Sequence, residues 1–210
     1  MVVGHRGTAE GVAPGTLAAY ERALAGGVEL VEMDVRRAVD GELRALHDAS
    51  EDVGAPTVRE VASLVAAAGA ALMLDLKEIG GEHEPVEAAL ALLPPERLVV
   101  STMEDVSVAA LRGRFAGVRL GLSVGREWRR PYLRTRLSEA FPARRARACG
   151  ASFLAVNRRL VPFGILARAP LPVYLWTVDE EPALRRFLRD PRVAAVITNR
   201  PLRALELRGA

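Results

Sequence analysis

Short apolar runs alternate along the chain with longer segments in which apolar residues recur at helical spacing. We interpret eight short runs as strands: Val2–His5, Val28–Val35, Ala71–Leu76, Leu98–Ser101, Val118–Leu122, Ser152–Val156, Val173–Val178 and Val193–Thr198. The clearest helical segments between them are Thr16–Ala25, Thr57–Ala68, Glu84–Leu93, Glu104–Arg114 and Pro182–Arg189. Because strand and helix alternate throughout, the pattern predicts an α/β protein with a parallel sheet. Eight repeats predict a (β/α)8 TIM barrel.

A doubly wound open sheet shows the same alternation and is the competing prediction. It is disfavoured because no GxGxxG or GxxxxGK[ST] phosphate-binding sequence follows the first strand. No linker rich in Pro, Gly or Ser divides the 210 residues. We therefore expect a single domain that covers residues 1–210.

A β-hairpin is predicted after the second strand, where Asp40-Gly41 is a strong turn signal. A two-residue loop at these positions would place Asp34 opposite His47. Glu32 shares the face of Asp34, because side chains alternate along a strand. The hairpin is therefore expected to bring Glu32, Asp34 and His47 to one surface.

Polar side chains mark the predicted C-terminal ends of the strands, where TIM barrels carry their functional groups. They are His5, Arg6, Glu32, Asp34, Asp75, Lys77, Ser101, Trp176, Thr198 and Asn199. Oxygen ligands from the three carboxylates favour a hard divalent cation, Ca²⁺ or Mg²⁺, over zinc. Histidines can exchange protons near neutral pH, and Arg and Lys can neutralise a phosphoryl group. Together these groups indicate metal-assisted phosphoester hydrolysis.

The composition draws attention to one of these residues. Of the 29 Lys and Arg residues only residue 77 is Lys, which leaves 28 Arg. In a chain that otherwise uses Arg for positive charge, composition alone leaves chance survival and a functional requirement for this Lys both open, and its place two residues after Asp75 favours the requirement. The net charge of +3 is small and the acidic residues are spread along the chain. We therefore expect no nucleic-acid partner.

The cysteine count and the hydropathy limit the cellular setting. Cys149 is the single cysteine, so no disulfide can form within the chain. No apolar run reaches the length of a membrane span, and Met1 leads directly into VVGHRG without signal-peptide features. These features predict a cytoplasmic protein without a transmembrane segment.

Several short segments, in order along nearly the whole chain, resemble the glycerophosphodiester phosphodiesterase family of phosphatidylinositol-phospholipase-C-like TIM barrels. The matching segments are HRG at 5–7, TLAAY at 16–20, VEMDV at 31–35, DG at 40–41, LHD at 46–48, PTVREV at 56–61, LDLK at 74–77, WTVD at 176–179 and ITNRP at 197–201. The resemblance implies His5 and His47 as the acid/base pair and Glu32, Asp34 and Asp75 as metal ligands. It further implies Arg6 and Lys77 as phosphate contacts and Trp176 as an apolar wall for a glycerol moiety.

The implied reaction cleaves a glycerophosphodiester into an alcohol and glycerol 3-phosphate with the help of a divalent metal. The resemblance also implies the route. The neighbouring glycerol hydroxyl would attack phosphorus first, and water would then open the cyclic intermediate.

The chain departs from the family pattern at four places. Pro14 and Gly15 stand where the family carries Glu and Asn of a PENT sequence, Asp75 stands in place of Glu, and Asn199 stands in place of Asp. Only Ala49 to Ala55 occupies the position of the family's capping insertion. We therefore expect a reduced or absent cap and a more open pocket.

Two alternative functions stay open. A missing cap could admit the acyl chain of a lysophospholipid, as in a lysophospholipase-D-like hydrolase. A degenerate barrel could instead bind phosphodiesters or a partner protein without turnover. The segment from Gly125 to Arg147 contains eight Arg residues, including Arg129 and Arg130, and is interpreted first as solvated helices. Its alternative role is weak contact with anionic substrate or lipid head groups. The sequence leaves the oligomeric state undetermined.

Overall fold

The computed structural model describes residues 1–48, 54–125, 138–139 and 141–209. The strands in these residues are β1 (Val2–Gly4), β2 (Leu30–Arg37), β3 (Leu43–Ala45), β4 (Ala71–Leu76), β5 (Leu98–Thr102), β6 (Arg119–Val124), β7 (Phe153–Asn157), β8 (Val173–Trp176) and β9 (Val193–Thr198). The helices are α1 (Leu17–Ala25), α2 (Val58–Ala67), α3 (His83–Leu90), α4 (Asp105–Arg114), α5 (Ala143–Cys149), α6 (Ile165–Arg168), α7 (Glu181–Leu188) and α8 (Pro201–Gly209).

Eight of the strands form a closed parallel barrel. The strand order is β1-β9-β8-β7-β6-β5-β4-β2-β3, and β1 also pairs with β2. Gly4 of β1 lies beside Val31 on one side and Thr198 on the other, so the first strand joins the second to the last. This closure excludes the doubly wound open sheet. The predicted TIM barrel is confirmed, and each of the eight predicted strands is present.

The first two helices begin at caps that the sequence carries. The Thr16 hydroxyl accepts a hydrogen bond from Ala19 N at 3.3 Å at the start of α1. At the start of α2, Thr57 and Glu60 form a reciprocal capping box, with Glu60 N donating to the Thr57 hydroxyl and Thr57 N donating to Glu60 Oε2. These side chains satisfy backbone donors that a helix leaves unpaired at its start. Both helices therefore begin at fixed positions beside the barrel's C-terminal end.

The barrel interior has an apolar floor. Its buried side chains are Val3, Leu30, Met73, Val99, Phe153, Ala155, Tyr174, Ala195 and Ile197. Glu32, Asp75 and Ser101 each stand two residues after one of these positions in the same strand. Because strand side chains repeat with a period of two, those three residues face the same interior one layer higher. The alternation of each strand thus places polar groups above the apolar floor.

The predicted hairpin is present, with β3 antiparallel to β2, but its predicted register is wrong by one residue. Val35 is paired with Ala45, and Leu46 N donates to Asp34 O at 3.1 Å. Asp34 therefore lies opposite Leu46 rather than opposite His47.

The loop length explains this difference. Ala38 N donates to Glu42 O at 2.8 Å, so three residues, 39–41, form the loop instead of two. Gly41 has φ of +84° at the last of these positions, where a three-residue loop requires a left-handed residue. Asp40 accepts a hydrogen bond from Glu42 N at 3.1 Å and stabilises the turn. The Asp-Gly pair was a correct turn signal, but it did not define the loop length.

Two predicted segments lie partly outside the described residues. Residues 49–53, in the short connection that replaces the cap, are among those not described, as are residues 126–137, which include Arg129 and Arg130. Where the description resumes after the second segment, the buried Glu139 accepts from Gly125 N and pairs with Arg145 at 2.8 Å. Arg145 also pairs with Asp105 at 2.7 Å. These contacts join the end of β6 to the starts of α4 and α5.

None of the helices in the described ranges combines the length and apolar character that crossing a bilayer requires. Cys149, at the end of α5, is buried and has a free thiol.

Candidate active site

A cavity of about 290 Å³ lies at the C-terminal ends of the barrel strands; we name it the barrel cavity. All of the site residues predicted from the sequence line it. They are His5, Arg6, Glu32, Asp34, His47, Asp75, Lys77 and Trp176. The lining also includes Ser123 and Met103, which were not predicted from the sequence, and Ser101, which was predicted at a strand end without a role. The fold thus brings together side chains from distant parts of the chain.

The HRG segment forms a tight turn at the end of β1. Arg6 has φ of +52° and ψ of 35°, a left-handed conformation that is uncommon for a residue with a side chain. Its backbone N donates to Glu32 Oε2 at 2.8 Å. Gly7 has φ of +59°, and a Cβ there would lie 2.3 Å from the Tyr20 ring. The turn therefore requires glycine at position 7, and it fixes Arg6 above Glu32.

Lys77 lies between two carboxylates. Its Nζ is 2.6 Å from Asp34 Oδ1 and also bonds Asp75 Oδ2. The other oxygen of Asp75 accepts from the Ser101 hydroxyl at 2.5 Å. A single ammonium group that bridges two buried carboxylates needs a compact charge on a flexible stem, which lysine supplies and arginine does not. This geometry gives a physical reason for the single Lys of the chain.

Arg6 supplies a second positive charge to Asp34. Its Nε lies 2.7 Å from Asp34 Oδ2, but the two atoms are not aligned for a hydrogen bond. Within the described ranges, the buried Asp34 Oδ2 accepts no hydrogen bond. The side chain of Asp34 is only 4% exposed. One carboxylate oxygen of this residue is therefore available to a further ligand.

Burial and charge act in opposite directions on the pKa values of these groups. Burial, reinforced by Asp34 and Asp75, raises the pKa of Glu32 well above its usual range. Burial alone would lower the pKa of Lys77, but Asp75 and Asp34 more than compensate and raise it. Burial would raise the pKa of Asp34, yet Lys77 and Arg6 lower it. Lys77 is therefore charged at neutral pH, and Glu32 is the carboxylate that most needs a positive neighbour.

His5 is oriented by a chain of hydrogen bonds from β9 and from the loop after β8. Its Nδ1 lies 2.8 Å from Asn199 Oδ1, and Asn199 Nδ2 donates to Asp179 Oδ2 at 2.8 Å. Because a carboxylate only accepts, the amide nitrogen of Asn199 faces Asp179 and the amide oxygen faces His5. Neutral His5 consequently carries its proton on Nδ1, and Nε2 keeps its lone pair.

Burial lowers the pKa of His5 and so favours the neutral ring. Asp179 and Asn199 were not predicted as site residues. Asn199 was noted only as a strand-end residue in place of the family's Asp, and Asp179 only as part of the WTVD segment.

His5, Glu32 and Asp34 could together hold a metal ion. One ligand atom from each of them lies within 4.8 Å of the other two. Asp75 is not in this group, and its two oxygens bond Lys77 and Ser101 instead. The geometry therefore groups His5 with Glu32 and Asp34, whereas the sequence analysis had placed Asp75 in the third position.

His47 borders the barrel cavity, but not through the predicted pairing with Asp34. It lies two residues beyond the end of β3, so strand alternation does not set its direction. Its Nδ1 is 3.1 Å from Asp48 Oδ2, and its carbonyl oxygen accepts from Arg36 Nε at 2.9 Å. Both histidines expected at the site therefore border the barrel cavity, although the predicted cross-strand pair does not exist.

Trp176 forms part of the apolar side of the barrel cavity. It ends β8 and lies with Met73, Met103, Ala155 and Ile197 around the same space. Its indole Nε1 is buried and has no hydrogen-bond partner within the described ranges. The cavity thus has a charged side from β1, β2 and β4 and a mostly apolar side across from it.

A second cavity of about 590 Å³ adjoins the first, and we name it the side cavity. It lies between the start of α1, the β2–β3 hairpin and the start of α2. Arg6, Asp34 and His47 line both cavities. These three side chains therefore mark the junction between the two spaces.

The fold and the site define a TIM barrel with a candidate metal-binding group and two histidines at its C-terminal mouth. The model of the glycerophosphoryl diester phosphodiesterase family matches residues 5–107, which include the HRG, VEMDV, LHD and LDLK segments. This match, over just under half of the chain, bears out the family resemblance predicted from the sequence.

Solved structures of the same fold cover the whole chain. A phosphodiesterase from Oleispira antarctica, in complex with sn-glycerol-3-phosphate, has 19% identity and a TM-score of 0.78, and the match covers 100% of this chain and 97% of that one. A glycerophosphodiester phosphodiesterase from Thermotoga maritima has 21% identity and a TM-score of 0.71, with 99% and 97% covered. One from Agrobacterium tumefaciens has 16% identity and a TM-score of 0.74, with 100% and 99% covered. At these identities the likeness establishes the fold. A sequence search of curated proteins finds no match.

Proposed function

We propose that the protein is a metal-dependent phosphodiesterase that hydrolyses glycerophosphodiesters to an alcohol and glycerol 3-phosphate. The observation that carries this proposal is the barrel cavity itself. Two histidines, three carboxylates, an arginine and a lysine line one cavity of about 290 Å³. The family-model match and the product bound to the Oleispira antarctica phosphodiesterase support the same reaction.

The residues present fit a divalent cation. Glu32 and Asp34 would hold the ion with their buried carboxylate oxygens, and Asp34 Oδ2 accepts no hydrogen bond from the described residues. His5 lies close enough to join them, but its one free lone pair, on Nε2, is assigned below to the base and is therefore left out of this ligand set. A donor set dominated by oxygen suits Mg²⁺ or Ca²⁺. When bound, the ion would neutralise phosphoryl charge and make a nearby hydroxyl easier to deprotonate.

Arg6 and Lys77 would bind the phosphate. Both are already beside Asp34, so they are held in place before a substrate arrives. The Lys77 side chain is only 10% exposed, and burial strengthens its attraction for a phosphate oxygen. Its two carboxylate partners keep it charged. The two cations would thus stabilise the negative charge that grows on the phosphoryl oxygens during attack.

The two histidines would move the protons. His5 is neutral with its lone pair on Nε2, which is the form required of a general base for the attacking glycerol hydroxyl. His47 lies at the junction of the two cavities, where an alcohol would depart. It would therefore protonate the leaving oxygen. Water would then open the cyclic phosphate to glycerol 3-phosphate, with His47 accepting the proton of the water and His5 returning its proton to the glycerol oxygen. Trp176 would contact the carbon atoms of the glycerol moiety.

The test is phosphorus NMR on the purified protein with glycerophosphocholine, in Mg²⁺ or Ca²⁺ and in excess chelator. We expect glycerol 3-phosphate to form with metal, and both chelation and His5→Ala to abolish its formation. His83→Ala is the matched control, because His83 begins α3 and does not border the barrel cavity. Turnover that survives both chelation and His5→Ala would overturn the mechanism. Absence of turnover with either metal would instead favour the non-catalytic binding barrel.

A parallel reaction with lysophosphatidylcholine tests the alternative hydrolase. Release of choline from this lipid at a higher kcat/KM than from glycerophosphocholine would assign the protein to the lysophospholipase-D type. We expect the opposite order.

A further inference from the structure

The mostly apolar side of the barrel cavity contains a buried polar group that the mechanism above does not use, the hydroxyl of Ser123 in β6. Ser123 is only 6% exposed and lines the barrel cavity. Its hydroxyl makes no hydrogen bond to any other described residue. Unlike the enclosed hydroxyl of Tyr20 and the enclosed Nε1 of Trp176, this hydroxyl is open to the cavity. A ligand in the barrel cavity can therefore reach it.

The neighbours of Ser123 leave its hydroxyl one open direction. Below it, a Cβ on Gly121 would lie 2.2 Å from Phe153 Cζ, so the Phe153 ring fills the space under Ser123. That ring stacks on Tyr174 with the centroids 4.3 Å apart, which makes this part of the floor aromatic. Beside it, Ala155 of β7 is paired with Ser123, and its methyl group is too short to cover the hydroxyl. The hydroxyl is therefore directed into the cavity above the floor.

Ser123 stands across the barrel from the proposed base. In the closed order of the eight barrel strands, β6 lies four strands from β1 in either direction. His5 and Arg6 follow β1, so they and Ser123 lie on opposite walls of one cavity. In the proposed function the attacking hydroxyl is bound at His5, and the phosphate is bound at Arg6 and Lys77. The remaining part of the glycerol moiety, its terminal CH2OH group, then extends toward β6.

This terminal hydroxyl needs a hydrogen-bond partner in the cavity. The apolar side chains around it come from Met73, Met103, Ala155, Trp176 and Ile197. A hydroxyl that leaves water for such a wall without a new partner costs free energy. The Ser101 hydroxyl already donates to Asp75, and Thr177, beyond the end of β8, is partly exposed at the mouth. Ser123 is therefore the buried hydroxyl in this cavity that a substrate can bond.

We propose that the Ser123 hydroxyl bonds the free terminal hydroxyl of the glycerol moiety, and that it selects glycerol esters over esters of a diol that lacks this hydroxyl. Ser123 would determine specificity and would take no part in proton transfer. A substrate without the terminal hydroxyl would leave Ser123 unpaired and lose the interaction. This inference rests on the proposed function and adds the part of the substrate that the β6 wall recognises.

The experiment is a competition between two substrates in one tube. They are glycerophosphocholine and the choline phosphodiester of propane-1,2-diol, which keeps the attacking hydroxyl but has a methyl group in place of the terminal CH2OH. Equal concentrations are incubated with the metal-loaded protein, and mass spectrometry follows the two phosphate products. The ratio of the initial rates equals the ratio of the kcat/KM values, whatever fraction of the protein is folded. We expect the glycerol ester to be favoured by roughly two- to tenfold, the effect of one net hydrogen bond.

Ser123→Ala removes only the hydroxyl. It should bring the ratio to one or below, by slowing the glycerol ester while leaving the propanediol ester unchanged. The matched control is Ser152→Ala, because the Ser152 hydroxyl bonds the backbone of Leu120 near the start of β6, away from the barrel cavity. Thr177→Val removes the partly exposed hydroxyl at the mouth. Neither of these two variants should change the ratio.

The outcomes separate this inference from the proposed function. Hydrolysis of neither ester by the wild-type protein in Mg²⁺ or Ca²⁺ would contradict the proposed function and this inference with it. Hydrolysis with a wild-type ratio near one, or with a ratio that Ser123→Ala leaves unchanged, would overturn the inference alone. A ratio that falls with Thr177→Val or Ser152→Ala would also overturn the assignment to Ser123. A ratio that falls with Ser123→Ala and with neither control would establish it.

Discussion

The two sides of the barrel cavity differ in kind. The charged groups that the barrel strands place in this cavity all come from β1, β2 and β4 or from the residues directly after them. They include Glu32, Asp34 and Lys77. Strands β5 to β9 contribute hydroxyl and apolar groups, such as Ser101 and Trp176. The family model matches residues 5–107, which include the whole charged side. In the proposed function the charged side therefore carries out the reaction and the apolar side contacts the substrate's carbon atoms. Substitutions on the two sides should have different kinetic effects.

The largest expected effect on the charged side is that of Lys77→Arg. A planar guanidinium cannot occupy the space between Asp34 and Asp75 as the ammonium group does. Loss of one preorganised charge contact typically lowers kcat on the order of 10²–10³-fold. Steady-state kinetics on a glycerophosphodiester measures this, with the exposed pair variant Arg208→Lys as the control. A Lys77→Arg enzyme with wild-type kcat would show that the two sides do not differ in the proposed way.

Gly7→Ala should affect stability through the same side of the site. The added Cβ would lie 2.3 Å from the Tyr20 ring in a residue with positive φ. We expect a loss of about 3 kcal/mol in the free energy of unfolding, from strain and overpacking together. Gly11→Ala is the matched control, since Gly11 also has positive φ but a Cβ there meets nothing within 4 Å. If urea unfolding gave equal losses of unfolding free energy for both variants, the contact with Tyr20 would not be the cause of the destabilisation.

Asn199→Asp should change the pH dependence of the reaction. Burial lowers the pKa of His5, so the wild-type base is neutral at neutral pH. A carboxylate at position 199 would stabilise the charged ring and raise that pKa, so activity would be lost at a higher pH as the medium is acidified. The acidic limb of a kcat/KM profile measures this shift. An unchanged limb would argue that His5 is not the base. An upward shift combined with unchanged activity at high pH would support the assignment.

The smallest expected effect belongs to Trp176→Phe on the apolar side. Phenylalanine keeps an aromatic wall and loses only part of the contact area, so KM should rise by about threefold with little change in kcat. If Trp176→Phe lowered kcat by a larger factor than it raised KM, Trp176 would take part in the reaction step, as the charged residues do. The contrast between this variant and Lys77→Arg measures how far the two sides act separately.

The regular parts of the fold could be predicted from the sequence because each is encoded locally. Alternating apolar runs marked all eight barrel strands, and Thr16 marked the start of α1. The hairpin register could not be obtained in this way, since Asp40-Gly41 fits both a two-residue and a three-residue loop. One residue of difference was enough to remove the predicted pair of Asp34 and His47.

The site was predictable only in part, for a different physical reason. Strand-end positions identified the side chains that line the barrel cavity, but not which atoms approach one another. The grouping of His5 with Glu32 and Asp34, and the use of both Asp75 oxygens by Lys77 and Ser101, depend on side-chain directions across neighbouring strands. The side cavity depends on the packing of two helix starts against a hairpin. No local pattern in the sequence specifies such contacts between distant segments.

The pairing of β1 with β9 has a consequence for biosynthesis. His5 precedes its partner Asn199 by 194 residues, so it leaves the ribosome long before Asn199 does. The strand that carries His5 also lacks one of its two neighbours until β9 has been made. A nascent chain that ends before β9 has an open barrel and an unoriented histidine, even though it contains every residue matched by the family model. We therefore expect the proposed activity to require β9, and a chain that ends before β9 to be inactive.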